Sequence, residues 1–376
     1  MIHPKPKLLF FVTEDWYFCS HRLPLALAAR DAGYEVVVVT RVDRHGGSIE
    51  SQGLRLIPIR LNRQGTNPIK DLTLIARLYR IYRRERPDII HHVAMKPVIY
   101  GSLAARLARV PAVVNALAGM GFLFSSRTAK ARLLQPVVRL AFRMLLGGGN
   151  NRVILQNPDD VRLLTRAARL DPDRVHLIRG SGVDLEHFRP EPEPPGPPVV
   201  MLPSRLLWDK GVGEFVTAAR ILRNEGTKAR FVLVGKPDPG NPAAVPQWQL
   251  DQWIAQGLVE WWGHSDKMAA ILAQSHIVCL PSYREGIPKV LLEAAASGRP
   301  MVTTDAPGCR EVVRDRENGL LVAIKDSAGL AQALRQLIQD PAARARYGRA
   351  GRALAEAHFG IDRVTAETLA VYRESK

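Results

Sequence analysis

Residues 279–308 read CLPSYREGIPKVLLEAAASGRPMVTTDAPG, and their pattern decides the fold. Val278-Cys279-Leu280 ends a short buried strand, and Pro281-Ser282 stops it. Tyr283-Arg284-Glu285-Gly286 forms a polar turn. Pro288, which has no amide to leave unpaired, is expected at the first position of a helix. That helix runs from Lys289 to Ala296 and ends on Ser297-Gly298 in the manner of a glycine cap, with Met301-Val302-Thr303 as the next strand. The unit is β-turn-α-β, the building block of a parallel sheet.

A helix starting at the carboxyl end of a strand turns backbone amides and the positive end of its dipole toward one spot, which suits a phosphate. The amides concerned are those of Gly286, Ile287, Lys289 and Val290. Glu285 lies just before the helix and Glu293 lies more than one turn inside it, so two carboxylates bracket the phosphate position. Each carboxylate accepts from hydroxyls. The arrangement suits a ligand with sugar hydroxyls at both ends and phosphate between them, which describes a nucleotide sugar.

Glu285 and Glu293, within P-S-x-x-E-G…E-A…G-x-P-M-V, resemble the E-x7-E signature of the family 4 retaining glycosyltransferases. The resemblance implies an α/β fold of two Rossmann-like domains facing a central cleft, known as GT-B. It also implies that Glu285 contacts the donor hexose and Glu293 the ribose. Arg205 and Lys210, in RLLWDKG, match the family's R-x4-K-G pair, which neutralises the donor diphosphate. Charge builds on the phosphate oxygens as a nucleoside diphosphate leaves, and fixed cations aimed there stabilise the transition state. In related proteins the strand-turn region from Leu258 to His264, with Trp261 and Trp262, packs beside the nucleoside base, which implies a donor contact from Gly263 or His264. No obligatory metal or other cofactor is implied. The domains expected are residues 1–185 for the acceptor, a Pro-rich linker 186–198, residues 199–355 for the donor, and a C-terminal helix 356–376 packing back toward the first domain.

The 376 residues suffice for two domains, and 46% hydrophobic content provides each with a core. Three cysteines in no metal-ligand spacing point to a reducing, cytoplasmic setting. The apolar run after the basic leader stops at Thr13-Glu14-Asp15, so Leu8–Val12 reads as a first strand rather than a signal peptide. A loop with Trp16, Tyr17, Phe18, Ser20 and His21-Arg22 follows, then a helix from Pro24 to Ala32 and a Val-rich strand from Glu35 to Thr40. With no G-x-G-x-x-G in that loop, His21 is expected to face an acceptor, while Trp16 and Phe18 either join it or pack a domain edge.

Pro87-Asp88-Ile89-Ile90-His91-His92 gives a strand ending in two histidines, followed by Lys96. The family's D-x-x-H-x-H aligns His91 with its first histidine and Val93 with its second, which leaves His92 as an additional acceptor candidate beside Lys96. Gly119 opens the Gly119-Met120-Gly121-Phe122 loop, where backbone can approach a sugar closely. Family members often carry histidine just before this glycine, and Ala118 stands there instead.

The net charge of +17 calls for an anionic partner. Two segments concentrate it: 72–86, with Arg77, Arg80, Arg83, Arg84 and Arg86, and 126–146, where arginines flank Leu133, Leu134, Val137, Val138, Leu140, Phe142, Leu145 and Leu146. Both fall in the acceptor half, and no apolar run is long enough to span a bilayer. The expectation is a peripheral enzyme on the inner face of the cytoplasmic membrane. It would move a hexose or N-acetylhexosamine from a UDP-linked donor to a polyprenyl-diphosphate-linked saccharide in surface-polysaccharide assembly. A sugar-nucleotide epimerase shares the architecture but has no need of R-x4-K-G joined to E-x7-E. A nucleic-acid-binding protein would explain the charge, but no recognised motif accompanies the arginines, and aromatic content is only 6%.

Overall fold

The structure, a computed structural model, describes residues 5–61, 68–119 and 129–375. The chain divides into two compact units, Met1–Ser181 with Asp362–Lys376, and Gly182–Ile361.

The first unit is built on a seven-stranded sheet of β1 (Lys7–Glu14), β2 (Glu35–Arg41), β3 (Arg55–Pro58), β4 (Ile89–Val93), β5 (Ala112–Leu117), β6 (Asn151–Leu155) and β7 (Val175–Leu177). Its order is β3-β2-β1-β4-β5-β6-β7, with every pair parallel. Leu8–Val12 and Val37–Val39 are wholly buried, as a parallel sheet covered on both faces demands. The segment Trp16–Ser20, expected as a loop, is part of a helix, Asp15–His21, followed after Arg22 by a second helix, Leu23–Asp31. Asp15 fixes this turn. Its buried carboxylate accepts from the amides of Trp16 at 2.7 Å and of Asp43 and His45 at 2.8 Å. Burial alone would raise that carboxyl, but the amides hold it below the usual range.

The second unit carries six parallel strands, β8 (Val199–Pro203), β9 (Arg230–Val234), β10 (Glu260–Trp261), β11 (Ile277–Leu280), β12 (Met301–Thr304) and β13 (Gly319–Val322), in the order β10-β9-β8-β11-β12-β13. In open sheets of this kind ligands bind beyond the carboxyl ends of the strands where the order reverses, here β8 and β11.

The proline-rich segment 186–198, expected as a linker, is part of the second unit. Three arginines fasten it there. Arg344 Nε and Nη2 donate to the two carboxylate oxygens of Glu193 at 2.7 and 2.8 Å, Arg299 donates to Pro192 O at 3.2 Å, and Arg352 donates to Leu185 O and Phe188 O at 3.1 and 2.8 Å. The division between units therefore falls earlier, between Ser181 and Gly182. Composition signals stiffness in such a segment, but it does not signal what the carbonyls bond.

Candidate active site

Beyond β8 the chain leaves the sheet through Ser204 and Arg205, pins itself with buried Leu206 and Leu207, and makes a short turn over Trp208–Lys210. Gly211 follows at φ 75°, and a Cβ there would lie 2.1 Å from Pro281 O, so only glycine lets this loop meet the one after β11. Lys210 Nζ pairs with Glu285 Oε1 as a result, and Ser282 Oγ donates to the same oxygen at 2.6 Å. The amide of Tyr283 donates to Asp209 O at 2.9 Å, which joins the two loops a second time.

A third loop, after β12, completes the arrangement. Glu285 N donates to Pro307 O at 3.1 Å, and Gly308 sits at φ 82° where a Cβ would lie 2.1 Å from Gly286 O. Connections from β8, β11 and β12 thus hold Glu285 from its main chain and from its carboxylate. Ser282, wholly buried, is the residue that sequence reading missed. Its signal was present in the spacing of P-S-x-x-E.

The helix Lys289–Ala296 begins at this edge. Pro288 is its N-cap rather than its first helical residue, and its carbonyl accepts from the amides of Leu291 and Leu292 at 3.0 and 3.4 Å. Glu293 is 6% exposed and pairs with Lys289 Nζ at 3.2 Å. Burial pushes its carboxyl above the usual range, against the opposing pull of Lys289. Ile287 is buried in the unit's core, so only its backbone can serve a ligand. Arg205 Nη1 lies 2.8 Å from Asp238 Oδ2. His264 follows β10, half exposed, with Nε2 3.2 Å from Asp266 Oδ1. Neither buried cysteine is poised for chemistry: burial raises the Cys279 thiol and pushes that of Cys309 up to about 12, with Glu285 adding to the latter.

In the first unit, His92 corrects the expectation made for it. It is wholly buried, with Nε2 3.1 Å from Tyr82 Oη and Nδ1 2.9 Å from Asn115 Oδ1. A Cβ on Gly101 would fall 2.4 Å from its Nε2, so the ring occupies core space that a glycine vacates. Burial holds its pKa down to about 4 despite the Asn115 bond. The aligned His91 is buried too, stacked on Phe10 with Nδ1 2.5 Å from Tyr372 Oη of the C-terminal helix Ile361–Glu374. His21 stacks on Tyr17 with centroids 4.2 Å apart, and Lys96 is half-buried, its pKa lowered by burial with Asp71 opposing. Gly119, at φ 99°, follows β5. Met120, Gly121 and Phe122 lie outside the described residues. Among the described residues no cluster of His, Cys, Asp and Glu is arranged to hold a metal ion.

Two sequence-family models match the chain. Residues 197–340 match the model described as glycosyl transferases group 1, and residues 7–157 match the one described as glycosyl transferase 4-like. The chain is 28% identical over 332 residues to the N,N'-diacetylbacillosaminyl-diphospho-undecaprenol alpha-1,3-N-acetylgalactosaminyltransferase of Campylobacter jejuni, covering 85% of this chain and 86% of that one. It is 28% identical over 288 residues to the UDP-Gal:alpha-D-GlcNAc-diphosphoundecaprenol alpha-1,3-galactosyltransferase of Escherichia coli, covering 72% of each. Among solved structures, Anabaena HepE in complex with UDP and glucose is similar with a TM-score of 0.79 at 20% identity, over 98% of this chain and 100% of that one. The fold is thus that of the two-domain GT-B enzymes. The chain belongs to the family 4 glycosyltransferases.

Proposed function

We propose that the protein transfers a hexose or N-acetylhexosamine, with retention of anomeric configuration, from a UDP-linked donor to a polyprenyl-diphosphate-linked saccharide during surface-polysaccharide assembly. The observation that carries this reading is the Lys210–Glu285–Ser282 contact at the carboxyl ends of β8 and β11, with Arg205 in the same loop as Lys210. The two relatives named above act, by their names, on diphospho-undecaprenol-linked saccharides, and HepE was solved with UDP and glucose.

In this reading the donor diphosphate lies against the amino end of the helix Lys289–Ala296, opposite Arg205 and Lys210. The acceptor hydroxyl oxygen bonds to the anomeric carbon as the bond from that carbon to the distal phosphate oxygen breaks. The electron pair stays on that phosphate oxygen, and the hydroxyl proton passes to the leaving phosphate or to solvent. Arg205 and Lys210 stabilise the charge where it develops. Glu285, held at Oε1 by Lys210 and Ser282, contacts the donor hexose, and Glu293 contacts the ribose. His264, and the amides of Gly286, Ile287, Lys289 and Val290, complete the donor side. His21, Lys96 and Gly119 remain the acceptor side, and no metal or other cofactor is required.

The acceptor is membrane-bound in this proposal, and the enzyme works peripherally on the inner leaflet. Arg77, Arg80, Arg83 and Arg84 are exposed on the helix Pro68–Glu85, together with Ile69 and Leu72. On Ala129–Leu146, Arg139, Leu140, Arg143 and Met144 are exposed. Apolar side chains beside arginines suit an anionic interface. No helix among the described residues is long and apolar enough to cross a membrane.

The test is nucleoside-diphosphate release from a panel of nucleotide sugars, with and without polyprenyl-diphosphate saccharides in anionic vesicles, for the parent and for Glu285→Ala. Release from one donor, stimulated by lipid acceptor and lost in the variant, is expected. Equal transfer to free soluble sugars with no response to vesicles would overturn the acceptor assignment.

A further inference from the structure

At the donor edge of the second unit, three cations have a carboxylate against them: Lys210 has Glu285, Lys289 has Glu293, and Arg205 has Asp238. The first two carboxylates lie on the helix and turn that hold the donor sugars. Asp238 does not. It lies in the polar segment after β9, Asp238-Pro239-Gly240-Asn241-Pro242.

That segment is docked rather than loose. Leu206 N donates to Lys236 O at 3.3 Å, Trp208 N to Ala243 O at 2.7 Å, and Val245 N to Leu206 O at 3.0 Å. Its own turn is closed by Asn241 N on Asp238 O at 2.8 Å and by Ala243 N on Asn241 Oδ1 at 3.0 Å. Gly235, at φ 148°, opens it, and a Cβ there would lie 1.8 Å from Ser204 O. Arg205 and Asp238 are therefore carried on two stretches fastened to each other along their length, and their side chains are only 34% and 20% exposed.

A partly exposed ion pair contributes little to stability, and a carboxylate beside a diphosphate repels it. Its placement needs a reason in the reaction. Transfer leaves the electron pair of the broken bond on the distal phosphate, so once the acceptor proton has gone to solvent the product carries one negative charge more than the donor. A site whose cations were unpaired would favour that product and hold it.

We propose that Asp238 is a positioning residue that aims Arg205 and offsets its charge, so that the site does not favour the nucleoside diphosphate over the donor. The inference rests on the transferase reading above and assigns a residue to product release. Arg205 supplies its field along the direction set by the Asp238 carboxylate. The carboxylate limits the field that the leaving phosphate experiences once its charge is complete.

The test is the ratio of the product inhibition constant of the nucleoside diphosphate to the KM of the donor, measured in the full chain for wild type, Asp238→Asn and Asp238→Glu. The Asn variant is expected to lower that ratio about fivefold, the size of a partly screened charge–charge interaction, and the Glu variant to keep it at the wild-type value. An Asn variant with wild-type melting and an unchanged ratio overturns the proposal, as does a Glu variant that behaves like Asn. Should Asp238→Asn melt early, wild type decides. A ratio constant from low to high salt is expected for an offset site, and a ratio rising with salt overturns the offset. A wild-type protein that releases no nucleoside diphosphate from any donor instead removes the transferase reading, an outcome distinct from all of these.

Discussion

The two units present their polar residues in opposite ways. In the second, Arg205, Lys210 and Glu285 lie on loops just beyond the ends of β8 and β11, half-buried and held by neighbouring loops. In the first, His91 and His92 lie within β4 itself, and both point into cores: His91 toward Phe10 and Tyr372, His92 toward Tyr82 and Asn115. A residue that ends a strand and one that follows it differ by one or two positions in sequence. In space they differ between a packed interior and a ligand-accessible rim. Polar chemistry on a parallel strand is a packing problem, and past its carboxyl end it becomes a functional one.

The largest effect that follows from this contrast is on rate. Removing Lys210 or Glu285 by alanine should lower kcat by about two to three orders of magnitude, the loss typical of one preorganised charge-stabilising group. Melting temperature should fall by far less than the rate loss would require: truncation leaves a mostly enclosed partner unmatched, at about the 2 kcal/mol of a partly buried broken pair. Steady-state kinetics beside a thermal melt measures both. A variant that melts far below wild type while keeping its specific activity would place the pair among structural contacts and erase the contrast.

His92 should show the reverse. Truncation to alanine removes a buried ring and its bonds to Tyr82 and Asn115, at a cost of about 3 kcal/mol in stability. Activity per folded molecule should be retained. The pH dependence gives a second reading. Its folded-state pKa of about 4 lies below the ordinary histidine value of 6.5, so the unfolded chain binds the proton more readily in between. Stability is therefore fullest above pH 6.5 and falls as pH drops toward 4, by about 1.4 kcal/mol per unit within that window. His91, also lowered well below its usual value by burial, acts in the same direction. Denaturant unfolding from pH 7 to 4 should show a shallower slope for His92→Ala than for wild type. Equal slopes would mean that His92 titrates normally and reaches water.

A smaller effect belongs to the proline-rich segment. Arg344 is buried, and it bonds Leu337 O and Ile338 O as well as Glu193. Glu193 is a third exposed, so the loss for Arg344→Ala should be about 2 kcal/mol, below that of a fully buried broken pair. Limited proteolysis between residues 186 and 198 should accelerate in that variant. Wild-type resistance with unchanged stability would restore the segment to the role of a linker.

Much of this was legible beforehand where chemistry and local structure coincide. Residues 279–308 announce strand, turn and helix through Pro281, Pro288 and Gly298, and those punctuators fix the same backbone wherever they occur. What stayed hidden depends on distance in sequence. Asp238 meets Arg205 across 33 positions, Arg344 meets Glu193 across 151, and His91 meets Tyr372 across 281. No periodicity reports such contacts. Asp15 was hidden for another reason: an acidic residue after a strand ends the apolar pattern equally well as a solvated loop residue or as a buried acceptor of three amides.

The smallest expected effect concerns the exposed face of the helix Ala129–Leu146. Arg139 and Arg143 stand beside Leu140 and Met144, which are 57% and 59% exposed, on the outer side of a helix whose Phe142 and Leu146 are buried. Each basic residue near an anionic surface contributes about 1 kcal/mol, so Arg139→Glu with Arg143→Glu should weaken binding to phosphatidylglycerol vesicles by at least about thirtyfold. Leu140→Ser alone should weaken it less, by the loss of one partly inserted side chain. Stability and the His92-dependent pH slope should be unchanged in both, since the substituted side chains are exposed and lie outside the β4 core. Vesicle co-sedimentation at two salt concentrations separates the charge contribution from the apolar one. If the glutamate pair binds vesicles as wild type does, then this face is merely solvated, and among the described residues the helix Pro68–Glu85 becomes the candidate for bringing the first unit to a membrane.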